Sequence, residues 1–218
     1  MKFAKTEEMK KTFKKFVQLG IVSALTNLMA YFDKFLIYPM FGATAVAVYY
    51  AVNSMSKIAN LLVNPVANVI LSWVSGTKTQ NSKQKIIKLT LILNIPILII
   101  VTLITMPLTY ISLRILYSQY MADALCLIIP IAITTAFGTA STLVKSVLLK
   151  YSNTNSLVIT YIVYFILFVI LGYKLSQSYE IIGFAMANLI SKIVLWIGFI
   201  ILLLTSKTKK EQESEINE

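Results

Sequence analysis

Four ionisable side chains stand inside runs that are otherwise apolar: Asp33, Lys34, Lys57 and Lys192. A charge in hydrocarbon is costly, so such groups face protein or a water-filled space, and each raises a functional question until packing accounts for it. Around Lys57 the chemistry is densest. In YYAVNSMSKIANLLVNPVANVILSW, residues 49–73, the side chains of Tyr49, Asn53, Lys57, Asn60, Asn64 and Asn68 recur at helical spacing. At 100° per residue they fall on one face about 100° wide. A row of amides beside an ammonium suits the wall of a polar cavity, whereas any one asparagine taken singly reads as hydrogen-bonding glue between helices. Three lysines against one carboxylate make such a cavity electropositive. Its low-dielectric walls focus the field, so the expected guest is anionic, for example a phosphate or pyrophosphate head group.

Plainer roles compete with this one. Lys34 has the option of snorkelling to the nearer interface and Asp33 of capping a partner helix, whereas Lys57 and Lys192 lie too deep for that. Asp33 and Lys57 sit about 9 and about 20 Å below the turn between them, a gap that a lysine side chain covers in part.

Catalytic chemistry is not indicated. Histidine is absent and Cys126 is the only cysteine, set in an apolar run where it reads as a small core residue. There is accordingly no disulfide framework and no His/Cys metal site. No nucleophile stands near a base, no glycine-rich phosphate loop follows a strand, and no HExxH pattern occurs. The chain is expected not to be an enzyme and to need no cofactor, although a transport role leaves room for a coupling ion, H+ or Na+.

The elements that position these groups are membrane helices. Of 218 residues 57% are apolar and 13% charged, with mean hydropathy +0.76, against about 45–50% and about 25% in soluble domains. Six spans are expected, at 16–39, 45–73, 86–106, 123–149, 157–173 and 181–204, since a hydrocarbon core about 30 Å thick takes about 20 helical residues. The first carries Ser23, Asn27 and Lys34 on one face. Pro65 and Pro96 are expected kinks. The stretch 107–122, with several tyrosines and Arg114, suits an amphipathic interfacial connection. In the fourth span Thr134, Gly138, Ser141, Thr142 and Lys145 share a side, a small-residue stripe of the kind that brings helices close. Lys145 itself reads as a residue of the inner boundary. Residues 1–15 form a basic segment suited to an anionic membrane surface, and 205–218 a disordered tail.

The formal charge of +11 is read as topology, not as a nucleic-acid footprint. Six Lys lie in 1–15, four in 78–88, two at 145 and 150 and three in 207–210, against Arg114 and Lys174 on the other side. Both termini are therefore expected in the cytoplasm.

Three stretches then carry a family resemblance. YFDKFLIYPMFGATAVAVYYAVNSMSKI, with its Asp-Lys pair before a short turn and a tyrosine-rich second helix, resembles the start of the second six-helix lobe of Wzx-type bacterial polysaccharide flippases. These are members of the multidrug/oligosaccharidyl-lipid/polysaccharide exporter superfamily. SLRILYSQYMADALCLI and LLKYSNTNSLVITY, the latter followed by YEIIGFAMANLIS, are similar to later segments in the same order. The resemblance implies an all-α integral membrane protein, six transmembrane helices forming one lobe of a MATE-like exporter fold. It implies movement of undecaprenyl-pyrophosphate-linked oligosaccharide across the bacterial inner membrane by alternating access, with Asp33, Lys57 and Lys192 as cavity residues, supported by Asn27, Tyr49, Asn53, Asn60 and Asn64. Such proteins have twelve or more spans. The implied partners are thus membrane lipid, the lipid-linked oligosaccharide and a second six-helix lobe, either a separate chain or another copy. Two alternatives stand beside it: a cation-coupled exporter of small molecules using Asp33, and a non-transporting scaffold of a polysaccharide assembly complex.

Overall fold

Runs of Leu, Ile and Val with few charges give the backbone no hydrogen-bonding partner in lipid except itself, and helices follow. The computed structural model of the chain describes residues 2–76, 81–152 and 154–205. Within these, the side chains of Lys57, Asn60, Asn64 and Asn68, among others in 2–30 and 55–85, lie outside the description. The elements are α1 (Lys2–Gly76), α2 (Asn81–Leu116), a 3-10 turn (Ser118–Tyr120), α3 (Met121–Tyr151) and α4 (Thr154–Thr205). The expected tail beyond Thr205 is outside the described residues.

Among the described residues four stretches are long and apolar enough to cross a membrane: Tyr31–Ser54, Ile86–Leu116, Ser118–Leu149 and Thr154–Thr205. The fold is all-α and of membrane type, but the six spans of a MATE-like lobe are not what forms. At the turns expected near residues 40–44 and 174–180 there is no separate loop: the chain breaks sharply within α1 at Gly42 and within α4 at Tyr179 and Glu180. The interfacial connection expected over 107–122 is likewise corrected. Helix α2 continues through Pro96 and Pro107 to Leu116, and only the 3-10 turn separates it from α3. Pro65 does not interrupt α1 either.

Each of the two longest helices departs from helical geometry at one place. In α1 it is Gly42, with φ 79 and ψ −177, a combination open essentially to glycine alone. Asp33 and Asn53 would stand about 30 Å apart on a straight helix. Their side chains meet at 3.4 Å, so the two limbs of α1 fold back on each other at Gly42. In α4 the break is at Tyr179 and Glu180. There the Tyr161 and Phe199 rings, which a straight helix would hold about 57 Å apart, lie 5.5 Å apart. Glu180 takes φ 52, the one positive φ outside glycine among the described residues. Just beyond it, a Cβ on Gly183 would run into the backbone carbonyl of Leu175. Only glycine lets the limbs close so near the bend.

Helix α3 is the centre of the bundle, with Leu127, Ala132, Ala136, Ala140, Val144 and Leu148 almost wholly buried. Its hydroxyl stripe is buried too, apart from half-buried Thr142, and it is satisfied within the helix. Thr134, Thr135, Thr139, Ser141, Thr142 and Ser146 each donate to the carbonyl four residues back. Those bonds let a polar stripe sit inside without a partner helix having to answer it. Between helices, one tie joins α4 to α2, where Trp196 Nε1 donates to Asn94 Oδ1 at 3.0 Å. The outer faces of α2 and α4 carry Ile95, Leu103, Ile159 and Ile170 at half exposure or more, as suits surfaces turned to lipid.

Candidate functional site

The fold at Gly42 brings Asp33 from the first limb of α1 onto Asn53 from the second. Asp33 is buried; its Oδ2 accepts from Asn53 Nδ2 at 3.4 Å and its Oδ1 from the backbone N–H of Lys34 at 2.8 Å. One turn before Asn53 in the same limb stands Tyr49, 2% exposed. Its hydroxyl accepts from Asn188 Nδ2 of α4 at 3.0 Å. Asn188 and Lys192 are four residues apart and share a face of α4. This links the first polar pair to a second region.

There Lys192 Nζ lies 4.7 Å from the centroid of the Tyr164 ring. One turn away, Lys145 Nζ of α3 lies 5.2 Å from the Tyr161 ring. Both tyrosines are buried. An ammonium over a ring face gains about 0.5–2 kcal/mol, the larger figure when desolvated. That is a modest return for two half-buried cations on a membrane bundle. Neither has a carboxylate within ion-pair distance among the described residues.

An aromatic column carries these polar groups. Tyr164 stacks on Phe168, Phe168 meets Phe184 edge-on at 5.5 Å, and Phe184 meets Tyr49 at the same separation. The column runs from the lysine pair to the Asp33 pair. The result is a polar track along the inside of the bundle, positive at the Lys145 and Lys192 end and negative at Asp33.

The sequence-derived residues fare differently in this arrangement. Asp33, Tyr49, Asn53 and Lys192 all stand on the track. Asn27 is on an exposed face of α1. Lys57, Asn60 and Asn64 lie outside the described residues, and so does the pairing of Asp33 with Lys57. Sequence reasoning passed over Tyr161, Tyr164 and Asn188, and gave Lys145 only a boundary role. The signals were present, in Tyr161 and Tyr164 three residues apart and Asn188 four before Lys192, but a tyrosine pair in an apolar helix reads first as packing.

No family model, no curated protein and no solved structure matches the chain. With four helices and four candidate spans in place of six, the resemblance to a Wzx-type lobe is set aside. Short segments rich in Tyr, Ile and Leu recur in many membrane helices, and their order was the sole tie.

A cavity of about 590 Å³ lies away from the lysines, where the two bends and the start of α3 meet. Phe41, Val48, Ile181 and Ile182 give it apolar walls, and Asp123 and Glu180 bring carboxylates to it. Cys126 also lines it and is exposed, which corrects the expectation of a core cysteine. The apolar stretch around it faces the cavity and lipid on one side and the core on the other, and Cys126 falls on the outer side.

Proposed function

We propose that this chain is a non-enzymatic membrane transporter that moves an anionic, lipid-linked solute, of the prenyl-pyrophosphate oligosaccharide class, between leaflets. The observation that carries this reading is that Lys145 and Lys192, both half-buried, lie over the buried rings of Tyr161 and Tyr164 without a carboxylate partner among the described residues. A charge left inside a bundle needs a counter-charge or water, and a diphosphate passing along the track supplies one. Tyrosine hydroxyls add hydrogen bonds to the same group. The polar groups beyond, Asn188, Tyr49, Asn53 and Asp33, offer neutral and then acidic partners that favour release over retention.

Alternating access requires a surface to move against, and the transporter works with a partner, either a second copy or a separate chain. The charge count along the sequence supports a bacterial cytoplasmic membrane location with both termini inside. Purified protein in vesicles carrying a fluorescent prenyl diphosphate, bleached from outside by dithionite, tests the reading. The expected result is a bleaching rate above that of empty vesicles, cut about ten-fold, or 1.4 kcal/mol, by Lys192→Gln. A rate equal to that of empty vesicles, with and without a co-expressed partner, overturns it.

A second reading is favoured by the cavity at the bends. Carboxylates over apolar walls, in a volume within the usual 300–1,000 Å³ of small-molecule sites, suit an amphipathic cation exported in exchange for an ion bound at Asp33. Proton-dependent efflux of such a cation from vesicles, in the absence of prenyl-diphosphate movement, would establish it in place of the first.

A further inference from the structure

Lys34 does not take part in the interior track. Asp33 and Lys34 are neighbours, so their side chains diverge by about 100° around the helix. The carboxylate is buried and the lysine is half-buried on the outside. Its Nζ lies 4.5 Å from the Tyr50 ring centroid and 5.1 Å from that of Tyr31. The two rings come from opposite limbs of α1, and the fold at Gly42 makes the clamp. Tyr31 is 54% exposed and Tyr50 40%, and the same face presents Phe35 and Tyr38 at 69% and 63%. No carboxylate lies within ion-pair distance of Lys34 among the described residues. A cation thus stands on a lipid-facing aromatic surface with its charge unanswered.

The depth of this clamp decides what can answer it. Helix α3 has 31 residues, about 46 Å of helix against about 30 Å of hydrocarbon, so the bundle projects roughly 8 Å beyond the core at each end. Phe41, Thr44, Ala122, Asp123 and Glu180 line one cavity, which puts the Gly42 bend level with the start of α3. Lys34 and Tyr50 stand eight residues to either side of Gly42, about 12 Å of helix below it. For an upright bundle centred in the bilayer, the Lys34 backbone stands about 4 Å inside the hydrocarbon boundary, which puts the ammonium within snorkelling reach of a head-group phosphate. Tyrosine hydroxyls are enriched at this level because one end of the ring is apolar and the other wet.

We infer that the Tyr31–Lys34–Tyr50 clamp is a binding site for an anionic phospholipid head group in the leaflet on the side of the two bends. The ammonium, held between the two rings, pairs with the phosphate, and Phe35 and Tyr38 pack against the acyl chains. A second copy of this chain is a poor occupant, since a symmetric contact there sets Lys34 against Lys34. The site is independent of any transported solute, and it stands or falls apart from the proposed function.

Native mass spectrometry of the full chain, released from nanodiscs of equal parts phosphatidylglycerol and phosphatidylcholine, tests it directly. Wild type is expected to retain phosphatidylglycerol over phosphatidylcholine by about ten-fold, the equivalent of one buried charge-assisted contact. Lys34→Gln removes that preference, Tyr50→Leu reduces it, and Lys34→Arg keeps it. Lys174→Gln, at an exposed lysine near the other bend, leaves it unchanged. Equal retention of the two lipids by wild type overturns the site, as does Lys34→Gln retaining phosphatidylglycerol as wild type does. If Lys34→Gln does not fold, wild type supplies the answer alone: phosphatidylglycerol raises its unfolding temperature in a saturable way and phosphatidylcholine does not. A rise that is equal for both lipids is the contrary result.

Discussion

Hydrogen bonds inside this bundle divide into those that hold one helix to itself and those that join two, and the consequences of mutation divide the same way. The α3 hydroxyls bond to their own helix, so Ser141→Ala or Thr142→Ala is expected to change stability by less than about 1 kcal/mol. Tyr49 with Asn188 is different, because the bond at 3.0 Å spans two helices. Tyr49→Phe leaves a half-buried amide without its acceptor and is expected to cost about 1–2 kcal/mol. In a double-mutant cycle with Asn188→Leu, most of that cost should disappear. The Thr105 and Ser176 hydroxyls are the opposite case, buried with no partner among the described residues. Thr105→Val and Ser176→Ala should therefore be neutral or stabilising in a thermal unfolding assay, and a clear loss of stability would show that a partner exists.

Among elements, the decisive ones are the two bends. Gly42→Ala forces a side chain into a backbone region that it avoids, at about 1–3 kcal/mol, and loosens the contact of Asp33 with Asn53 and the Lys34 clamp together. Gly183→Ala is expected to be worse, since the added methyl overlaps the Leu175 carbonyl and no rotamer change relieves a backbone clash. Glu180 is the reverse, a side chain at positive φ, and Glu180→Gly should raise stability by about 1 kcal/mol. Comparing unfolding temperatures of the three variants in one detergent separates these effects by sign. Neither bend stands out in the sequence. Gly42 lies in an ordinary FGATA segment, and Tyr179-Glu180 carries no glycine or proline. The turns expected at 40–44 and between 173 and 181 nonetheless coincide with the two breaks, which are sharp bends within α1 and α4.

For the whole molecule, orientation is open to a direct test through Cys126, the only cysteine, which is exposed and lines the cavity at the bends. With both termini in the cytoplasm, an impermeant maleimide is expected to label Cys126 in intact cells, and labelling only after lysis would reverse the orientation. The sequence by itself determined the solvent. Its apolar runs, scarce charges and asymmetric lysines make a helical membrane protein, because hydrocarbon admits little else. It also marked Asp33, Tyr49, Asn53 and Lys192 as groups needing explanation, since burial in lipid makes any polar side chain expensive. The number of helices, the way the limbs of α1 and α4 pack, and the partners of each polar group were decided only by tertiary structure. Residues such as Tyr49 and Asn188, or Lys145 and Tyr161, are strangers in sequence. Helical periodicity tells which face a side chain occupies, but only the packing of one helix on another tells what that face meets.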